Sequence, residues 1–125
     1  MELKFYECPI CGNIIAKVFD SGVNVVCCGK EMKELDASTT DEAFEKHVPV
    51  YTVEGNTIHV KIGSVEHPMT EEHYIEWIAL QTTQGNQRKC LKPGDSPEVC
   101  FCICEGDKVE AIYAYCNVHG LWRTE

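Results

Sequence analysis

From residue 48 onward, apolar residues fall in short runs, several of them alternating with polar ones, which is the period of a half-buried strand. Residues 48–53 form an apolar run, Glu54-Gly55-Asn56 reads as a turn, and residues 57–62 alternate, so the three predict a hairpin. Further strands are predicted over 74–81, 88–91, 99–104 and 108–116. Turn signals separate them: Gly85-Asn86, Lys92-Pro93-Gly94-Asp95 and Glu105-Gly106-Asp107. Short strands with this punctuation predict a mostly β protein built as an antiparallel sandwich. Upstream, the polar stretch 36–41 reads as a connection, and 41–46 as one helical turn capped by Thr39 or Thr40. The expected domains are therefore 1–37 and 38–125.

The first of these domains has little that could form a core. Chains below roughly 40 residues rarely bury enough apolar surface to fold alone, so a metal is expected to hold it. Cys8-Pro9-Ile10-Cys11-Gly12 is a metal knuckle, because two intervening residues let both thiolates reach one ion. The second pair, Cys27 and Cys28, is directly adjacent and is followed by Gly29. Four thiolates suit iron or zinc, and they leave no open coordination position, so this site serves electron transfer or structure.

Nine cysteines and a formal net charge of −9 in 125 residues alter the picture. The odd cysteine count, the vicinal pair and the absence of a visible export signal favour metal thiolates in a reducing compartment over disulfides. A cytoplasmic location follows. The acidic balance argues against nucleic-acid binding, and no apolar run approaches the roughly 18 residues needed to span a membrane.

Four of the five histidines have distinctive settings. His47 precedes a strand, His67 and His73 bracket a loop, and Cys116-Asn117-Val118-His119-Gly120 offers sulfur and nitrogen to one ion. Imidazoles suit iron, copper, nickel or zinc, and an added thiolate narrows the field to soft or redox-active metals.

The strings EKHVPV, GSVEHPMTEEHYIEWI, LKPGD and YCNVHG occur in that order. Together with the vicinal-cysteine pair, which is similar to that of desulforedoxin, they resemble the desulfoferrodoxin and neelaredoxin superoxide reductases over almost the whole chain. The resemblance implies a small desulforedoxin-like Fe(Cys)4 domain followed by a seven-stranded immunoglobulin-like sandwich. It implies two iron ions per chain. Cys8, Cys11, Cys27 and Cys28 would hold one, with zinc as the alternative. His47, His67, His73 and His119 would hold the other in a plane, with Cys116 as the axial thiolate. Lys46 would attract superoxide beside the catalytic iron, and Glu45 would ligate the oxidised metal. It further implies one-electron reduction of superoxide to hydrogen peroxide, a rubredoxin-like electron donor and a homodimer.

The remaining candidates read as structural. Alternation puts His59 with Thr57 and Lys61 on a polar face, so it is expected at the surface. Cys100, Cys102 and Cys104 share one face of a strand whose two faces are both apolar by residue type. They are expected to be packed inside as small hydrophobes, with Cys90 also structural. Trp77 and Trp122 are expected in the core, with Trp122 placed to pack against the histidine cluster.

Overall fold

The computed structural model describes residues 2–38 and 47–125. The predicted helical turn, Glu45 and Lys46 lie outside the described residues. Among those described there is no helix, and the secondary structure consists of strands. The chain divides into two compact units, Met1–Asp36 and Ala37–Glu125.

In the first unit, β1 (Phe5–Glu7) lies between β2 (Ile14–Ala16) and β5 (Lys33–Glu34), while β3 (Val26–Cys27) pairs with β4 (Lys30–Glu31). Among its described residues the buried apolar ones are Phe5, Cys8 and Met32, and one of these is a knuckle cysteine. So small a core cannot offset chain entropy, which for each ordered residue costs about 1–2 kcal/mol. In the β3–β4 hairpin Cys27 pairs with Lys30, leaving Cys28-Gly29 as a two-residue loop. Both have positive φ, 53° at Cys28 and 73° at Gly29, the pattern of a type I′ turn.

The second unit is a seven-stranded, immunoglobulin-like antiparallel sandwich. One sheet has the order β10 (Glu98–Cys102), β7 (Thr57–Ile62), β6 (Pro49–Glu54). The other runs β12 (Gly120–Thr124), β11 (Val109–Cys116), β8 (Ile75–Thr82), β9 (Gly85–Cys90). Alternation on β7 turns Ile58, Val60 and Ile62 inward, where they meet Ile78 and Leu80 of β8, Phe101 of β10 and Ile112 and Ala114 of β11. Cys116, at the end of β11, belongs to the same buried cluster.

Two expectations are corrected. The strand predicted over 108–116 is not the last, because β12 follows and pairs with β11 from Cys116↔Gly120 to Ile112↔Thr124. Cys116 and His119 flank a tight turn between neighbouring strands. Cys100, Cys102 and Cys104 are exposed rather than packed inside, as is Cys90. The second sheet covers only the inner face of β10, so Phe101 is buried while the alternate cysteines face outward. Other readings hold: His59 is exposed, Trp77 is buried, and Trp122 is partly buried against His47.

Candidate metal centres

The first candidate centre is the knuckle unit. Cys8 and Cys11 sit in the turn after β1, where the Gly12 amide donates to the Cys8 carbonyl at 3.1 Å. The Ile10 and Cys11 amides both donate to Cys8 Sγ at 3.4 Å. The type I′ turn brings the vicinal pair to meet them. Cys11 and Cys27 sulfurs are 3.7 Å apart, those of Cys27 and Cys28 are 4.0 Å apart, and all four lie within 4.8 Å of one another. Metal–sulfur bonds of about 2.3 Å in a tetrahedron give sulfur separations of about 3.8 Å, so the set fits one ion.

Charge tells the same story. The Cys11 amide, helped by that of Ile10, draws the Cys8 thiol down to about 6. Hydrogen bonding to Cys11, then to Cys27 and Cys8, pushes Cys28 up to about 12. Without a cation, one thiolate forms at the expense of the others. A bound cation removes that conflict by replacing the protons.

The second candidate centre gathers side chains from three places in the sandwich. His47 enters β6, His67 and His73 lie in the β7–β8 loop, and Cys116 and His119 flank the β11–β12 turn. The imidazole centroids form a closed ring: His47–His67 4.8 Å, His67–His73 4.7 Å, His73–His119 5.0 Å and His119–His47 4.7 Å. The diagonal His47–His73 is longer, at 6.4 Å. Near-equal edges with a longer diagonal make a closed, square-like ring and exclude a regular tetrahedron, in which every separation would match.

Potential ligand atoms of His47, His67, His73 and Cys116 all lie within 4.8 Å of one another. His119 joins through Nδ1, 3.0 Å from His47 Nε2 and 3.8 Å from Cys116 Sγ.

The surroundings fix these groups. His67 Nδ1 lies 2.6 Å from the Pro68 carbonyl, to which it donates, so the lone pair is left on Nε2. Burial above all, with the neighbouring imidazoles, lowers the His67 pKa to about 4, and the ring is neutral near pH 7. Its Nε2 is buried and has no hydrogen-bond partner among the described residues, which fits a metal ligand. Burial also pushes the Cys116 thiol up, although the His119 and Val118 amides pull it back. A buried thiol of this kind ionises readily only beside a cation.

Sequence reasoning missed Asn117. Its Oδ1 accepts from the Tyr74 amide at 2.9 Å, and its Nδ2 donates to the Glu72 carbonyl at 3.0 Å. The side chain thus ties the β11–β12 turn to the loop carrying His73. Its place between Cys116 and His119 was the one signal available. A register shift between Tyr115 and Cys116 marks a bulge beside this loop, a common device for re-aiming side chains at a site. Trp122 stacks on His47 with centroids 4.6 Å apart and planes 18° from parallel, walling one side of the cluster.

A four-thiol knuckle unit and a sandwich carrying an imidazole square with a buried thiol define a two-centre metalloprotein. The family model described as desulfoferrodoxin matches residues 39–125, and the desulfoferrodoxin N-terminal domain matches residues 1–35. The desulfoferrodoxin homolog of Archaeoglobus fulgidus is 50% identical over 122 residues, covering 98% of this chain and 96% of that one. The desulfoferrodoxin of Nitratidesulfovibrio vulgaris is 48% identical over 124 residues, covering 99% and 97%. The crystal structure of the superoxide reductase from Treponema pallidum matches with a TM-score of 0.86 and 37% identity, over 99% of this chain and 98% of that one. The chain belongs to the desulfoferrodoxin family.

Proposed function

We propose that this protein is a superoxide reductase, converting superoxide to hydrogen peroxide at an iron held by His47, His67, His73, His119 and Cys116. The observation that carries this reading is the square of four imidazoles associated with a buried cysteine. The name of the similar Treponema pallidum structure supports it. When bound, iron supplies the one electron that superoxide needs, and two protons complete the peroxide.

The chain's own residues shape that chemistry. Neutral imidazoles such as His67 add no negative charge, so the centre stays cationic and attractive to an anion. Cys116, as the thiolate, would push electron density toward a bound metal, while the His119 amide steadies its sulfur from 3.4 Å. Lys46, next to His47 in sequence, gives a local positive charge against the net −9 of the chain. Glu45, two residues before His47 in sequence, would supply a carboxylate ligand to the oxidised metal. The first unit is a desulforedoxin-like Fe(Cys)4 domain on Cys8, Cys11, Cys27 and Cys28, a set that zinc also fits. A rubredoxin-like protein returns the electron, and the protein works as a cytoplasmic homodimer that detoxifies superoxide in an anaerobe or microaerophile.

Metal analysis and the visible spectrum test this reading. The expected result is one iron for each of the two ligand sets, with the thiolate-to-iron band of the histidine centre lost on Cys116→Ser together with activity, while the bands of the four-cysteine centre stay. Colourless protein holding only zinc, or a spectrum and activity that Cys116→Ser leaves unchanged, contradicts it.

A further inference from the structure

The outer face of the β10-β7-β6 sheet carries chemistry that the metal centres do not use. The register sets Thr52, His59 and Cys100 side by side on one rung. Because Ile58, Val60 and Ile62 point inward, Thr57, His59 and Lys61 point outward. On this face Cys100 Sγ lies 3.0 Å from His59 Nδ1, and His59 Nε2 lies 3.8 Å from a Glu54 carboxylate oxygen. A groove of about 400 Å³ opens here, with Val50, Thr52, Lys61 and Cys100 among its walls.

Strand β10 is also held from its free edge. Gln87 donates to the Cys102 carbonyl at 2.8 Å, and Lys89 donates to the Cys100 carbonyl. Cys102, the next outward cysteine, pairs with Thr57 instead of an imidazole.

We propose that Cys100 and His59 form a peroxide-reactive thiol site on the outer face of this sheet. A thiol within hydrogen-bond reach of an imidazole, itself beside a carboxylate, has the arrangement of an activated nucleophile. His59 Nδ1 takes the thiol proton, and the sulfur attacks one oxygen of hydrogen peroxide. The S–O bond forms as the O–O bond breaks, and the departing hydroxide recovers the proton from His59 as water. Sulfur is oxidised by two electrons to the sulfenic acid, and the peroxide is reduced by two. A low-molecular-weight thiol entering the groove then condenses with the sulfenic acid and releases water. A second such thiol exchanges with the mixed disulfide, frees the Cys100 thiol and leaves as a disulfide. The proposed reductase reaction makes hydrogen peroxide, which gives this site a local oxidant. The site itself stands on the sheet geometry alone.

The test treats the full-length, metal-loaded protein with added hydrogen peroxide and traps sulfenic acids with dimedone. Labelling at each cysteine is localised by fragment-ion mass spectrometry over time. Because the peroxide is added, the outcome does not depend on the reductase reading. Cys100 is expected to label at least about tenfold faster than Cys102 and Cys104, and His59→Gln to reduce it to their rate. His59 is exposed, and near-ultraviolet circular dichroism checks that the variant is folded. Equal labelling of the three cysteines, or a Cys100 rate untouched by His59→Gln, overturns the proposal.

Discussion

At the level of single side chains, tautomer and charge decide what the imidazole square can bind. The Pro68 carbonyl holds one His67 nitrogen, so the other is the donor, and burial keeps the ring neutral at ordinary pH. This local arrangement is set before any metal arrives. Attraction of the substrate is a separate matter. In a chain of net charge −9 an anion needs a local cation, and Lys46 is the residue we propose for it. Lys46→Ala is expected to slow the reaction with superoxide by about tenfold at low ionic strength, with the deficit shrinking as salt rises. A rate equal to that of the wild type at low salt removes Lys46 from this role.

At the level of elements, turns place the ligands. The vicinal cysteines reach one centre because Cys28 sits inside a type I′ turn, where a non-glycine residue is uncommon. A second clamp lies at the opposite end of β8. Burial pushes the Asp107 carboxyl up, but the Thr82 and Thr83 hydroxyls and the Lys108 and Gln84 amides outweigh it and hold the pKa below the usual range. Both hydroxyl bonds are 2.8 Å long and tie the β8–β9 turn to the β10–β11 loop. A depressed carboxylate pKa contributes stability that is present above the unfolded value and lost as pH falls through the folded one. Asp107→Asn is therefore expected to lower Tm near neutral pH. Its deficit should narrow as pH falls below about 5, as the wild-type carboxylate protonates. A deficit that stays constant over that range contradicts the ionic origin.

The elements also show what the residues alone could tell. The β6–β7 hairpin was legible because Gly55-Asn56 separates an apolar run from a strict alternation. Strand β12 was not, since Gly120–Thr124 is short and its apolar residues, Leu121 and Trp122, are adjacent. The cysteines of β10 were misread because residue type marks both faces as apolar, whereas only a neighbouring sheet decides which is covered. The four knuckle cysteines and the five candidate ligands of the sandwich were legible from spacing and resemblance. Asn117 was not, because its value lies in a bond to a loop over 40 residues away in sequence.

At the scale of the whole molecule, the two units differ in what holds them. The sandwich has a continuous core running through both sheets, from Ile58 to Cys116. The first unit buries little beyond Phe5, Cys8 and Met32, so its folding is tied to its metal. Chelation that empties only the four-cysteine set is expected to remove hydrogen-exchange protection from the amides of residues 2–36 and spare those of β7, β8 and β11. Equal loss in both units, or none in the first, contradicts this division.

If the imidazole ring and Cys116 hold an iron that reduces superoxide, stopped-flow mixing of the reduced protein with superoxide gives rapid single-turnover oxidation of the centre. One hydrogen peroxide forms for each superoxide consumed, and no dioxygen is released. Dioxygen release with half as much peroxide would mean disproportionation, and a centre that stays reduced in the presence of superoxide would contradict the assignment altogether.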